Sequence, residues 1–105
     1  MMMRERQFKK GEILYVNGRI PEYGYMVAKG NLEIFDCPEA ALSEHLGIGS
    51  FVCEFDSFLN NKPLTMNVRV AEDAEIFEIT KKEINHFLRN NPGLMLLINK
   101  TKYIL

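Results

Sequence analysis

The sequence has little of several features that would place a protein in a class at once. Among its 105 residues there is no tryptophan, and its two cysteines, Cys37 and Cys53, are too few for a disulfide scaffold and lack metal-ligand spacing. We therefore expect a reducing, cytoplasmic location. No stretch approaches the roughly 18 apolar residues needed to cross a bilayer. We expect neither a membrane span nor a signal peptide.

An excess of charge of one sign is also missing. Thirteen basic and fourteen acidic residues give a net charge of −1, whereas nucleic-acid-binding domains usually present a strongly basic face. We therefore expect no direct nucleic-acid binding by this chain. Hydrophobic residues make up 47% and charged residues 26% of the sequence, which is typical of a globular protein. The length predicts a single domain over residues 1–105 with one modest core.

The first 80 residues show the pattern of short strands separated by turns. Residues 13–16 form a β-branched and aromatic run, and the Asn-Gly pair at residues 17–18 closes it as a tight turn. Residues 25–28 predict another strand, residues 29–31 a second tight turn, and residues 32–36 a half-buried strand of alternating polarity. Turns at intervals of about 8–14 residues favour a small barrel or sandwich over a βαβ sheet.

The rest of the predicted β region contains shorter elements. A weak strand, a short strand and one or two helical turns are predicted at residues 42–46, 51–52 and 54–59. Further on, Met66, Val68 and Val70 alternate with polar residues and should face inward. An exposed acidic loop at residues 72–73 then separates them from a last strand at residues 76–79.

The pattern changes to helix after the last predicted strand. Thr80 followed by Glu83 predicts a capping box, which satisfies two free backbone N–H groups at a helix start. The apolar face of this helix consists of Ile84, Phe87 and Leu88. Pro92 suits the first turn of a second helix. The sequence therefore predicts a mainly β protein, with a barrel of about eight short strands (about residues 6–79) followed by two C-terminal helices (about residues 81–104).

The order and spacing of these segments resemble those of cyclic-nucleotide-binding domains, the family that includes the catabolite activator protein and the regulatory subunits of protein kinase A. The segments that carry the resemblance are residues 8–15, Gly18, residues 25–34, residues 49–54 and residues 68–71. The resemblance implies a cupin-like jelly-roll barrel, a double-stranded β-helix, and a regulatory, non-catalytic role. The chain departs from the activator in one respect: we expect no DNA-reading helix-turn-helix after the last helix.

In the family, a cyclic phosphate binds at the start of a short helix, where a glycine, a glutamate and an arginine hold the nucleotide. The resemblance places the degenerate ligand site at Phe51, Val52, Cys53, Glu54, Leu64 and Thr65. The glutamate is kept as Glu54, but the glycine is Cys53, and Leu64 and Thr65 stand where the arginine is expected. A hydrogen bond to a charged group contributes on the order of 1.5–3 kcal/mol. Losing two of them weakens binding by about a hundredfold or more. We therefore expect no cofactor, with cAMP and cGMP disfavoured.

Some roles at this site stay open. Arg69 and Lys62 are the nearest cations in sequence, and either a replacement contact to phosphate or a solvated surface position is compatible with the pattern. Glu54 either keeps a ligand role or caps the short helix. Cys53 is either an inert buried thiol or a thiol with a lowered pKa at a helix start.

Catalytic chemistry finds little support. His45 and His86 are the only histidines, and they are predicted to lie on different elements, so they do not make the clustered ligand set of a cupin metal site. No nucleophile–histidine spacing stands out. We expect no enzyme and no metal site, and we keep a small metal-dependent cupin enzyme as the weakest alternative.

Two functions remain. The first is a ligand-sensing regulatory domain with lost or altered cAMP/cGMP binding and a possible small anionic ligand. The second is a ligand-blind dimerisation or protein-interaction module, one form of which is the sensor half of a transcription regulator that lacks its DNA-binding part. The family implies a homodimer through the last helix, whose predicted seam is Leu94, Leu97, Ile98 and Thr101. The alternative is that this helix folds back over the barrel.

Overall fold

The computed structural model describes residues 4–35 and 44–93. In chain order the elements are β1 Arg4–Phe8, β2 Ile13–Tyr15, β3 Tyr23–Phe35, β4 Glu44–Leu46, β5 Phe51–Val52, α1 Phe55–Asn60, β6 Asn67–Thr80 and α2 Lys81–Asn90. The six strands form one antiparallel sheet in the order β1-β6-β3-β4, with β2 added to β6 and β5 added to β3. This mainly β architecture confirms the predicted fold class.

The two long strands, β3 and β6, form the centre of the sheet. They pair along almost their whole length, from Tyr23 opposite Thr80 to Phe35 opposite Asn67. Their inward side chains alternate with outward ones and build the main core, as the spacing of Met66, Val68 and Val70 predicted. The shorter strands pair with different parts of β3 and β6, so the sheet curls around this core.

Two of the predicted turns are wrong. Residues 29–31 and 72–73 lie inside the continuous strands β3 and β6, where the strand register shifts. Gly30 adopts a φ of 94°, and a Cβ there would lie 2.6 Å from the Asp73 carbonyl oxygen, so the two irregular segments face each other closely. Because these bends do not end the strands, the described residues contain six strands rather than about eight. Residues 72–73 are exposed, as predicted.

The helix α2 begins as predicted. Thr80 and Glu83 form a complete capping box, in which the Thr80 hydroxyl accepts the Glu83 N–H. Ile84 and Leu88 are buried, whereas Phe87 is 42% exposed. The predicted second C-terminal helix and its interface residues Leu94, Leu97, Ile98 and Thr101 lie outside the described residues. Within residues 4–35 and 44–93, no helix is long and apolar enough to cross a membrane.

A second, smaller core lies between the two helices and the sheet. It contains Cys53, Phe55, Phe58, Ile79, Ile84 and Leu88. Val52 belongs to the main core and its neighbour Cys53 to the second one. The segment from β5 into α1 therefore passes between the two cores, which fixes it from both sides.

Candidate functional site

The predicted ligand segment leads from β5 into α1 and is almost entirely buried. Val52 and Cys53 are fully buried and Glu54 is 2% exposed. Phe51 is partly exposed, and its ring stacks on Phe55 with centroids 6.0 Å apart. Residues that follow a short strand into a helix usually expose free backbone N–H groups. In this protein the side chains of residues 52–54 are packed into the interior.

The Glu54 carboxylate is bound by a single residue. It accepts the Thr65 backbone N–H at 2.9 Å, and its other oxygen accepts the Thr65 hydroxyl. Glu54 stands at the N-cap position of α1 but makes no side-chain hydrogen bond to that helix. Of the two roles left open for Glu54, capping of the helix by its side chain is therefore wrong. Its carboxylate instead ties the start of α1 to the segment that precedes β6.

Leu64, at the position of the family's arginine, points into the protein. Its side chain is 3% exposed and belongs to the main core. Backbone hydrogen bonds of 2.8 Å join Leu64 N to Arg19 O and Gly18 N to Leu64 O, which hold this position from the β2–β3 connection. The neighbouring Thr65 is exposed. The site thus brings Glu54 and Thr65 together and turns Leu64 away from solvent.

The two cations considered as replacements have other partners. The Lys62 ammonium lies 3.3 Å from an Asp56 oxygen on the protein surface. The Arg69 Nε–H donates to Glu33 at 2.6 Å, and its guanidinium lies over the Phe35 ring. Both side chains are substantially exposed. Among the described residues, neither makes a hydrogen bond or ion pair with residues 51–54, Leu64 or Thr65.

The Cys53 thiol is buried and reduced. Burial raises its pKa well above the usual range, and the nearby Glu54 charge raises it further. Of the two alternatives for Cys53, the lowered pKa is therefore wrong, because burial disfavours the charged thiolate. Gly24 makes room for the rings next to this side chain, since a Cβ at Gly24 would lie 3.3 Å from the rings of Phe51 and Phe58.

Tyr15 links the ligand segment to the rest of the barrel. It is 2% exposed, and its hydroxyl lies within hydrogen-bond distance of the Tyr23 and Val52 carbonyl oxygens. A hydroxyl carries one proton and donates to one of these carbonyls at a time. Burial raises the Tyr15 pKa well above its usual value. Electrostatic contributions from Cys53, Tyr25 and Glu54 raise it further. It therefore acts as a neutral hydrogen-bond donor that anchors β5.

The two histidines lie on different elements. His45 on β4 pairs with Glu33 at 3.3 Å and with Asn31 at 2.8 Å. His86 on α2 pairs with Asn90 at 3.2 Å. In the part of the chain that the structure describes, no group of histidine, cysteine and carboxylate side chains has the arrangement of a metal site.

A charged group on the inner wall of the barrel was not predicted. Glu78 on β6 is 2% exposed, and its carboxylate pairs with Arg6 at 3.1 Å and with Arg4 at 3.9 Å. The alternation of Ile76 with Glu78 was the available signal, because a period of two places both side chains on the inner face. Burial raises the pKa of the neighbouring Tyr25, and the Glu78 charge raises it further.

A shallow cleft lies on another part of the surface. Its volume is about 400 Å³, and it is lined by Gln7, Phe8, Lys9, Lys29, Asp73, Ala74 and Glu75. None of the predicted ligand residues lines it. Ammonium and carboxylate groups are mixed in its walls, so the cleft presents no strong field of one sign.

Comparison with known proteins agrees with this architecture. The alignment with the catabolite activator protein of Thermus thermophilus covers 93% of this chain and 49% of that protein. Its TM-score is 0.74 and the sequence identity is 19%. The alignment with a protein from a cyclic-GMP-dependent signalling pathway that regulates bacterial phytopathogenesis covers 93% of this chain and 79% of that protein. Its TM-score is 0.75 and the sequence identity is 18%. The alignment with a putative cyclic nucleotide binding protein from Ruegeria pomeroyi covers 93% of this chain and 44% of that protein. Its TM-score is 0.70 and the sequence identity is 17%.

These likenesses show a jelly-roll-like fold, and the chain spans about half the length of the Thermus protein. No curated protein matches the chain. The family model of the cyclic nucleotide-binding domain matches residues 5–91, which cover both cores and both described helices. The chain therefore belongs to the cyclic nucleotide-binding domain family, as the order of its segments predicted.

Proposed function

We propose that this domain is a non-catalytic regulatory module whose nucleotide-binding segment no longer binds cAMP or cGMP. The observation that carries this proposal is the closed pair of Glu54 and Thr65. Both carboxylate oxygens accept hydrogen bonds from Thr65, so the N–H and O–H donors of Thr65 are already occupied by an anion of the protein itself. A phosphate has to displace that carboxylate to reach them.

Electrostatics supports the same proposal. A cyclic phosphate carries one negative charge, and it would approach a carboxylate that is 2% exposed. Removing a phosphate from water needs a cation or several donors in exchange. Leu64 offers hydrocarbon at the position of the arginine, and its side chain is packed in the main core. Nothing in this arrangement offsets the cost of bringing the phosphate in.

The output of the module remains a proposal as well. The predicted homodimer through Leu94, Leu97, Ile98 and Thr101 concerns residues outside the described structure. If the barrel binds no ligand, a ligand-blind interaction module becomes the better account. Within the described residues, β6 runs directly into α2, and Thr80 ends the strand and caps the helix. A change in the barrel wall thus reaches α2 without an intervening loop.

Thermal unfolding with 1 mM cAMP or cGMP tests the proposal. A dissociation constant of 10 μM would stabilise the fold by about 2.7 kcal/mol at this concentration, which is roughly 10 °C or more for a domain of this size. We expect a shift of less than about 1 °C with either nucleotide. A saturable shift of several degrees that is lost in Thr65→Val would contradict the proposal, because it would place cyclic-nucleotide binding at this segment.

A further inference from the structure

Two arginines and a buried carboxylate meet on the inner face of the sheet. Arg4, Arg6 and Phe8 alternate on one face of β1, and Phe8 belongs to the main core. Their partners across the sheet are Glu78, Ile76 and Ala74, all of them buried. The two arginines therefore face the interior side of the sheet, and their guanidinium ends remain partly exposed.

The carboxylate of this group is only partly satisfied. Its Oε2 accepts a hydrogen bond from Arg6 Nη1 at 3.1 Å. Its Oε1 is buried and has no hydrogen-bond partner among the described residues, and Arg4 Nε lies 3.9 Å away. Buried polar atoms are nearly always hydrogen-bonded, so an orphaned carboxylate oxygen needs an explanation.

The arginines also have unused capacity. A guanidinium carries five N–H donors, and among the described residues Arg6 uses one of them on Glu78. Arg4 and Arg6 are 70% and 45% exposed and share a single carboxylate, so the trio carries an excess positive charge. Glu22 contributes to the field at Tyr25, but in the described structure it forms no ion pair with either arginine.

A second trio, Arg69, Glu33 and His45 on the outer face, shows what a completed arrangement looks like. On the outer face, Arg69 pairs with Glu33 and lies over Phe35, with the centroid 4.4 Å away. Arg6 likewise pairs with Glu78 and lies over Phe8, at 5.1 Å. In the outer trio, however, His45 pairs with the other Glu33 oxygen at 3.3 Å. Only the inner trio leaves an oxygen without a partner.

The inner trio is also well placed to influence the rest of the domain. Across the sheet, Arg4 lies opposite Glu78, Glu78 opposite Tyr25, and Tyr25 opposite Val52. This row connects the arginines to the strand that leads into the ligand segment. Glu78 also lies two residues before Thr80, which caps α2. A group bound here would contact β1 and β6, and β6 runs directly into α2.

We propose that Arg4 and Arg6, positioned by Glu78, form a binding site for the oxyanion group of a small ligand, a phosphate or a carboxylate. Guanidinium groups pair with both through charge-assisted hydrogen bonds. The anion balances the excess charge of the two arginines. A donor on the same ligand, such as a hydroxyl or amine, satisfies the Glu78 Oε1. In the described structure none of these three side chains forms a hydrogen bond or ion pair with Glu54 or Thr65, so the site goes beyond the proposed loss of cyclic-nucleotide binding.

The test is an NMR titration of the full chain with inorganic phosphate, and separately with acetate, at constant ionic strength because exposed charges are screened by salt. The arginine Nε–Hε signals are followed. We expect saturable shifts of the Arg4 and Arg6 signals and an affinity at least fivefold lower in Arg4→Gln. This variant keeps the closer Arg6–Glu78 pair and should fold. Arg69→Gln, the matched control from the outer trio, should bind as the wild type does.

Saturation by phosphate alone identifies a phosphate site, and saturation by acetate as well identifies a general oxyanion site; both support the proposal. Shifts that grow linearly, or an equal loss of affinity in Arg69→Gln, overturn it. A cAMP-dependent stabilisation that disappears in Arg4→Gln but persists in Thr65→Val belongs to the arginines and leaves the proposed function standing. The reverse pattern would instead contradict the proposed function.

Discussion

Glu54 and Glu78 are the two buried glutamates of this domain's described residues, and their surroundings differ. Each is 2% exposed. Both oxygens of Glu54 accept hydrogen bonds from Thr65, which supplies neutral donors from eleven residues away in the chain. Glu78 is paired with guanidinium groups from the other end of the sequence, and one of its oxygens has no hydrogen-bond partner among the described residues.

The difference shows that burial by itself does not mark a binding site. A carboxylate whose acceptors are filled by a neighbouring backbone N–H and hydroxyl works as an internal link, and it leaves nothing for a ligand to complete. A carboxylate shared by two exposed arginines leaves both positive charge and donors unused. The family resemblance directs attention to Glu54, whereas the unsatisfied chemistry lies at Glu78.

The largest effect on stability should come from removing Arg6. In Arg6→Gln the buried Glu78 keeps its charge and loses its closer partner, and removing one member of a buried pair is strongly destabilising. Because the Arg6 side chain is 45% exposed, we expect a loss of about 2–3 kcal/mol in the free energy of unfolding, less than for a fully buried pair. Urea unfolding at neutral pH measures it.

Arg69→Gln is the control for that experiment. Arg69 has the same exposure, pairs with a glutamate and lies over a phenylalanine ring. Its partner Glu33 is 14% exposed and also pairs with His45, so it is not left alone in a dry site. We expect a loss of only about 0.5 kcal/mol, as for other exposed pairs. Equal losses in the two variants would remove the distinction between the inner and outer trios.

The next largest effect should come from Glu54→Gln. The glutamine keeps the shape of the side chain but has one acceptor oxygen where Thr65 offers two donors. Thr65 is exposed and water replaces part of the lost contact, so we expect a loss of about 1–2 kcal/mol in urea unfolding. Thr65→Val should cost a similar amount, whereas Thr65→Ser, which keeps the hydroxyl, should stay close to the wild type. If Thr65→Val left the free energy of unfolding unchanged, the Thr65 hydroxyl would not be what holds Glu54.

The sequence allowed the fold to be predicted because its strands alternate clearly and its family pattern is continuous. It did not distinguish a bend inside a strand from a turn that ends one. A lysine, a glycine and an asparagine at residues 29–31 suit a tight turn as well as a bulge. The choice depends on the close approach of Gly30 to the Asp73 carbonyl oxygen, a contact between distant segments. Local propensity contains no information about such a contact.

The candidate site was located but not understood from sequence. Counting from Glu54 identified Leu64 and Thr65 as neighbours of the site, and the structure places Thr65 on the carboxylate. Whether a glutamate caps a helix or bonds to another segment depends on backbone geometry, which a sequence does not contain. Arg4 and Arg6 were overlooked because β1 has only one buried residue, Phe8, and so lacks a clear alternating pattern.

The smallest effect is expected at Asp56, a carboxylate on the same short helix as Glu54 but fully exposed. Its pKa is lowered from the usual 3.8 by hydrogen bonds from Asn60 and then from Lys62. A carboxyl whose pKa is lower in the folded state stabilises the fold above its unfolded pKa and loses that contribution as the pH falls through the folded pKa. Asp56→Asn should therefore be slightly less stable than the wild type at pH 6, and the difference should shrink in acid as the wild-type carboxyl takes up its proton. Urea unfolding of the wild type and of Asp56→Asn, at pH 6 and in acid, measures the difference in stability. A difference as large as that of Glu54→Gln would mean that burial and saturation of the carboxylate are not what sets these effects apart.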